Sequence, residues 1–370
     1  MRLLILVHSL SSGGAERVTS SLANYWARKG WAITILTVTG LEKDFYSLDA
    51  GVRRAALGLD QSSASIWHAL HHNFRRVRKL RAFITREQPD VVLAMMSTAS
   101  ILVSLAARKT GIPAIGSERT YPPAMPLGFI WGRLRRFSYQ YLSAVVVQTE
   151  QGEAWIREHT KAGFTAVIPN PITFPIEPHE PRIIPRNPGR TLLAVGRLGE
   201  EKRFSWLIEA FAALAGRFTN WNLIILGEGV CRPNLEKQVE SLGLAKRVSL
   251  PGAVGNIGEW YEAADLYTLC SRFEGFPNTL AEALSYGLPA VSVDCDTGPR
   301  DIIRHGVDGL LVPQNDQGAL VDALASLMTD ENLRKEFSQR ATEAAQRFAP
   351  ERIAETWENL FRQVINNGSK

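Results

Sequence analysis

Short apolar, β-branched runs alternate with amphipathic stretches along the whole chain. In the first half the runs fall at residues 3–7, 33–38, 91–95, 144–148 and 166–168. Runs this short, apolar at successive positions, mark parallel strands buried on both faces. Between the first two, over residues 15–29, Val18, Leu22, Tyr25 and Trp26 share a face at helical spacing and Gly30 follows as a stop, which makes a βαβ unit. A stretch at 169–188 then holds seven of the 19 prolines. Proline removes backbone donors and restricts the residue before it, so no regular element is expected there. The pattern resumes with strand-like runs at 192–195, 223–226, 266–269, 290–293 and 310–312, separated by helical patterns such as 204–218 and 320–328. The fold class predicted is α/β, two Rossmann-like doubly wound domains at residues 1–175 and 176–350. A last helix over 351–370 has Ile353, Trp357, Leu360 and Val364 at helical spacing.

Composition narrows the class. The 370 residues are 45% hydrophobic and 21% charged, which excludes a disordered, collagen-like or coiled-coil chain. The net charge of +5 does not by itself call for nucleic acid, but its distribution is uneven: 21 lysines and arginines face 12 acids up to Pro178, and 21 face 25 beyond it. A basic half beside an acidic half points to an anionic surface or substrate for one lobe. Cys231, Cys270 and Cys295 are odd in number and lack CxxC spacing, so neither a disulfide framework nor a zinc site is indicated. The run at 3–7 is too short for a signal-peptide core, and no stretch reaches the roughly 18 apolar residues of a membrane span. A cytoplasmic location is expected.

Chemistry is expected where strands end. SSGGAER (11–17) follows the first strand; Gly13 and Gly14 permit a tight turn, and the helix start offers N–H groups to an anion, or the segment is a plain βα turn. A dinucleotide dehydrogenase would need G-x-G-x-x-G and an acid closing the second strand, and neither is present. AVGRLGEEKRF sets Arg197 and Lys202 beyond a strand, a pair suited to a diphosphate unless Glu200 and Glu201 merely neutralise them. LGEG (226–229) is another strand end entering glycine. In SRFEGFPNTLAEAL (271–284), Gly275, Phe276 and Pro277 break any helix between Glu274 and Glu282, and Asn278-Thr279 is expected to cap a new one. Carboxylates suit sugar and ribose hydroxyls, and the amides of Thr279 and Leu280 suit phosphate; two exposed glutamates are the plainer alternative.

In this order the segments resemble the retaining GT-B glycosyltransferases of family 4, and GPRDII (298–303) with HGVDGLLVP (305–313) matches the usual continuation. The resemblance covers nearly the whole chain. It implies two Rossmann-like lobes facing a cleft, the first binding the acceptor and the second a nucleotide sugar, with the C-terminal helix crossing back to the first. It also implies Arg197 and Lys202 on the diphosphate, Glu274 on the donor sugar, Glu282 on the ribose, and Gly14, Gly227, Gly229, Asn278, Thr279 and Leu280 around the donor. Where many members carry a histidine, SERTYPP (117–123) has Glu118-Arg119, both candidates for contact with the acceptor or a phosphate; Arg119 is either such a contact or a salt-bridged loop residue. His8 is an acceptor contact or a core histidine.

Between Leu70 and Arg136 twelve cations meet three acids. FRRVRKLRAF (74–83) and PLGFIWGRLRRFSYQYL (126–142) interleave aromatics with Arg75, Arg76, Arg78, Lys79, Arg133, Arg135 and Arg136, a pattern for lying on an anionic leaflet or a solvated helix face with its aromatics turned in. No nucleic-acid module is visible. The expectation is a peripheral enzyme of the inner membrane face that moves a sugar, galactose or N-acetylhexosamine type, from a UDP-sugar to a hydroxyl of a lipid-linked saccharide, retaining configuration and using neither metal nor cofactor. A UDP-sugar epimerase of the same fold and a non-catalytic glycan-binding membrane adaptor are the alternatives.

Overall fold

In the computed structural model, residues 1–368 are described except Ser12, Lys43, 60–65 and 186–188, so Ser12 of the first glycine loop and the end of the proline-rich stretch lie outside the described residues. The chain forms two compact units, Met1–Pro171 with Pro350–Lys370, and Ile172–Ala349.

The first unit is a seven-stranded parallel sheet of β1 (Arg2–Val7), β2 (Ala32–Thr37), β3 (Val52–Ala56), β4 (Val91–Met95), β5 (Ala114–Ser117), β6 (Ala144–Val147) and β7 (Thr165–Val167), in the order β3-β2-β1-β4-β5-β6-β7. Residues 3–7 and 91–95 are buried on both sides, which is why those runs are uniformly apolar. The helix Gly14–Arg28 buries Val18, Leu22 and Trp26 and ends where Gly30 takes a left-handed φ of 83°. β3 and β5 were not foreseen. β3 is an edge strand, VRRAA, half-exposed, with Arg53 and Arg54 paired to Glu87 and Asp44; β5 is only four residues long and its Gly116 lies against Ser100 and Leu142.

The C-terminal helix Pro350–Gly368 belongs to this unit. Ile353, Trp357, Leu360, Phe361 and Val364 join the cluster of Leu3, Leu22 and Trp26, and the Phe361 ring meets Trp26 edge-on at 5.4 Å. Lys29 Nζ closes on Glu358 Oε1 at 2.8 Å. Trp357 is fully buried, so Trp357→Ala is expected to cost about 3–5 kcal/mol through lost burial and the cavity left behind. Chemical denaturation checks this by the shift of the midpoint.

The second unit is a six-stranded parallel sheet of β8 (Arg190–Val195), β9 (Trp221–Leu226), β10 (Val248–Gly252), β11 (Leu266–Leu269), β12 (Ala290–Asp294) and β13 (Gly309–Pro313), ordered β10-β9-β8-β11-β12-β13. The edge strand β10, VSLPG, has a register break and was also not foreseen. The proline-rich stretch has no helix or strand among its described residues. Among the described residues no helix is long and apolar enough to cross a membrane.

Candidate active site

The carboxyl ends of β8, β9 and β11 are laced together. Beyond β8, Gly196 N–H donates to Leu226 O at 2.9 Å and Leu198 N–H to Glu228 O at 2.9 Å; beyond β9, Gly227 N–H reaches Gly252 O at 2.8 Å and Cys231 N–H returns to Leu198 O at 3.0 Å. Gly227 has a φ of 136°, and a Cβ there would strike the Gly196 carbonyl. A Cβ on Gly229 would strike the Leu198 backbone. These two glycines are therefore demanded by the approach of one loop to another, whatever ligand they also meet.

A short 3₁₀ turn, Glu200–Lys202, then aims Lys202 at Glu274. Lys202 Nζ forms an ion pair with Glu274 Oε1, their side chains 18% and 12% exposed, and Ser271 Oγ donates to the same oxygen at 2.6 Å. The backbone behind both is tied down as well. Arg272 N–H donates to Glu201 O at 2.7 Å, the Thr297 hydroxyl donates to Glu274 O, and Cys270 Sγ donates to Lys202 O at 3.1 Å. Burial pushes the Cys270 thiol up to about 12, which keeps it protonated as that donor. Gly298, at φ 98°, lets its loop press on Pro277. Arg197 differs from Lys202: it is 77% exposed and bonded to Glu201 Oε1 at 2.8 Å.

The helix Asn278–Ser285 does not start as expected. Pro277 is its N-cap and no side chain caps it. The Leu280 amide donates to Pro277 O at 3.0 Å, so it is not presented to a phosphate; Thr279, the residue before it, lies in the first turn, whose amides have no partner within the helix. The Thr279 hydroxyl, instead of capping, accepts from Tyr267 OH at 2.8 Å. Glu282 is 4% exposed and accepts from Tyr261 OH at 3.0 Å, so it is a buried, oriented carboxylate and the exposed-glutamate alternative fails for it. Ser271, Thr297, Cys270, Tyr261 and Tyr267 carried no signal in the sequence beyond their nearness to strand ends.

In the first unit, Gly13 is extended, φ −172°, a conformation open to any residue, and Gly14 is the first residue of its helix. His8 at the end of β1 is exposed, which removes the core reading. Glu118 is not a surface contact: it is 2% exposed, accepts from the Tyr139 and Ser97 hydroxyls, and lies 3.8 Å from Arg135 Nη1. Arg119 is buried too. Its Nη1 donates to Ser117 Oγ at 3.3 Å and its Nη2 to Asn170 Oδ1, while Nε has no hydrogen-bond partner. No carboxylate is among these contacts, so the salt-bridged reading fails; burial alone pulls the guanidinium down to about 9.

The basic helices divide. In Phe129–Ser138, Phe129, Ile130, Arg133, Leu134 and Phe137 fall on one half of the circumference and are exposed, with Arg136 at its margin and Met125 exposed just before. Arg135 points the other way, 6% exposed, over the Trp155 ring at 4.6 Å; it is not membrane-facing. In Ile66–Glu87, Phe74, Arg75, Arg78 and Lys79 are exposed, but Arg76 is half-buried and donates twice to Leu59 O, at 3.1 and 2.6 Å.

Comparison with known proteins identifies the family. Residues 177–344 match Glycosyl transferases group 1, and residues 13–171 match the Glycosyl transferase 4-like domain. Over 99% of each chain the protein is 29% identical to the GalNAc-α-(1→4)-GalNAc-α-(1→3)-diNAcBac-PP-undecaprenol α-1,4-N-acetyl-D-galactosaminyltransferase of Campylobacter jejuni. Its fold is similar to that of sucrose-phosphate synthase from Thermosynechococcus elongatus, with a TM-score of 0.83 at 18% identity over 99% of this chain and 100% of that one. It is also similar to Anabaena HepE, whose structure is in complex with UDP, with a TM-score of 0.77 at 19% identity over 98% and 100%. The two family matches together cover most of the chain, and the protein belongs to the group 1, family 4-like glycosyltransferases of GT-B fold.

Proposed function

We propose that this glycosyltransferase moves a galactose- or N-acetylhexosamine-type sugar from a UDP-sugar to a hydroxyl of a lipid-linked saccharide, with retention of configuration and without a metal or cofactor. The observation that carries the reading is the half-buried Lys202 ammonium, fixed on Glu274 by two laced loops at the end of a parallel sheet. The Campylobacter relative acts on a PP-undecaprenol-linked glycan and the Anabaena protein holds UDP, and both support this class of acceptor and donor.

In the proposed step the bond from the anomeric carbon to the diphosphate oxygen breaks and its electron pair leaves with UDP. The acceptor oxygen bonds the anomeric carbon on the same face, and its proton passes to a departing phosphate oxygen. Charge grows on the diphosphate, where Lys202, the Thr279 amide in the first turn of the helix Asn278–Ser285 and, more weakly, the solvated Arg197 oppose it. Glu274 takes a hydroxyl of the donor sugar and Glu282 the ribose. In the first unit, exposed His8 is assigned to the acceptor, and Arg119, buried without a carboxylate contact, to a phosphate oxygen. The outward face of Phe129–Ser138 lies on an anionic leaflet, apolar side chains inserted and Arg133 and Arg136 at headgroup level.

Donor hydrolysis measured across UDP-, GDP- and ADP-sugars tests the core of this. UDP release from UDP-galactose or UDP-N-acetylhexosamine, unchanged by EDTA, with an α-linked product from an α-donor, is expected. Preference for a GDP- or ADP-sugar, or an inverted product, overturns it. Isomerised UDP-sugar with no acceptor present would instead identify an epimerase, and absent nucleotide binding a glycan-binding adaptor.

A further inference from the structure

Behind the proposed donor residues runs a column of aromatic rings, all within the second unit. The Phe174 ring, in the proline-rich stretch, meets Tyr286 edge-on at 4.9 Å; Tyr286 lies 5.5 Å from Tyr261, and Tyr261 meets Tyr267 at 6.3 Å. Each hydroxyl has a separate partner. Tyr286 OH accepts from Ile176 N–H at 2.8 Å, Tyr267 OH donates to Thr279 Oγ1 at 2.8 Å, and Tyr261 OH donates to Glu282 Oε2 at 3.0 Å. Tyr261 is 1% exposed and Glu282 4%.

A buried carboxylate needs hydrogen bonds, and its terminal torsion is broad unless something fixes it. A phenol clamped between two rings supplies a donor that cannot swing away, whereas a water in its place would. Resting on the assignment of Glu282 to the donor's ribose, we propose that Tyr261 is a positioning residue for nucleotide-sugar binding: its hydroxyl fixes the plane of the Glu282 carboxylate at the angle that receives the ribose hydroxyls. Tyr286 supports the ring of Tyr261, and its own hydroxyl accepts from the proline-rich stretch.

Titration calorimetry with UDP on Tyr261→Phe, Glu282→Gln, the double variant and Tyr286→Phe, together with steady-state kinetics, tests this. Tyr261→Phe keeps the ring and is expected to weaken UDP binding and raise the donor KM about tenfold, with kcat at saturating donor within about twofold. In the Glu282→Gln background the same change is expected to add nothing, because the tyrosine acts only through that carboxylate. Tyr286→Phe, which removes a hydroxyl from the same column, is expected to lower the melting temperature with UDP affinity unchanged. Wild-type affinity in Tyr261→Phe, losses that multiply in the double variant, or an equal loss in Tyr286→Phe would overturn the positioning role while leaving the donor site standing. Wild-type affinity in Glu282→Gln would remove the ribose assignment itself, and the role of Tyr261 with it.

Discussion

Lys202→Ala is expected to lower kcat about 10²- to 10³-fold at saturating UDP-sugar, the loss typical of one donor removed from a site where negative charge develops. The ammonium is held by its pairing with Glu274, and that carboxylate is held by Ser271. Little reorganisation is therefore needed when the diphosphate leaves. Lys202→Arg keeps the charge but brings a planar fork to a place built for a point charge, and intermediate activity is expected. Arg197→Ala is expected to cost less than tenfold, because its guanidinium is largely in water and already paired with Glu201. Time-resolved UDP release from the three variants checks the ranking, and turnover of Lys202→Ala within twofold of wild type would remove the residue from the chemistry.

The double variant Phe129→Asp with Phe137→Asp is expected to reduce sedimentation with anionic vesicles at least tenfold, leaving soluble donor hydrolysis and melting temperature unchanged. Both rings are exposed on one side of their helix, so carboxylates there meet water in the free protein and a charged, apolar boundary in the bound one. Arg133→Gln with Arg136→Gln is expected to remove mainly the salt-sensitive part, ~1 kcal/mol per cation near the surface. Arg135→Gln is a contrasting case: it removes a buried cation beside Glu118 and should show as lost stability rather than lost membrane binding. Vesicle binding that is unaffected in Phe129→Asp with Phe137→Asp would move the membrane surface elsewhere.

Much of this protein was legible in one dimension. Strands buried on both faces are apolar along most of their length, so β1, β4, β8 and β11 stand out as runs, and helices that bury one stripe must repeat it, so Val18, Leu22 and Trp26 announce theirs. Edge strands need not be: the edges β3 and β10 carry arginine, glycine and proline and neither showed as a strand. The apolar edges β7 and β13 did, and the interior β5 escaped because it is four residues long with Gly116 and Ser117 among them. The segments proposed to meet the donor were visible because strand ends entering glycine carry their residues in order along the chain.

Which way each of those residues faces was settled in three dimensions. Lys202 meets Glu274 across 72 positions, Tyr261 meets Glu282 across 21, and Arg119 reaches Asn170 across 51, and no local pattern encodes such pairs. Gly227 is required by a carbonyl thirty-one positions earlier in the chain. Arg133 and Arg135, two positions apart in one helix, end on opposite sides, one in solvent and one in the interior, because about 100° of rotation per residue separates them and only the packing of neighbouring elements says which side is inside. The order of residues alone thus carries the two-sheet architecture, since burial of regular elements leaves a periodic trace. Tertiary structure decided the partners and the outward faces, since charge, unlike hydrophobicity, is compatible with either side until a counter-group is brought near.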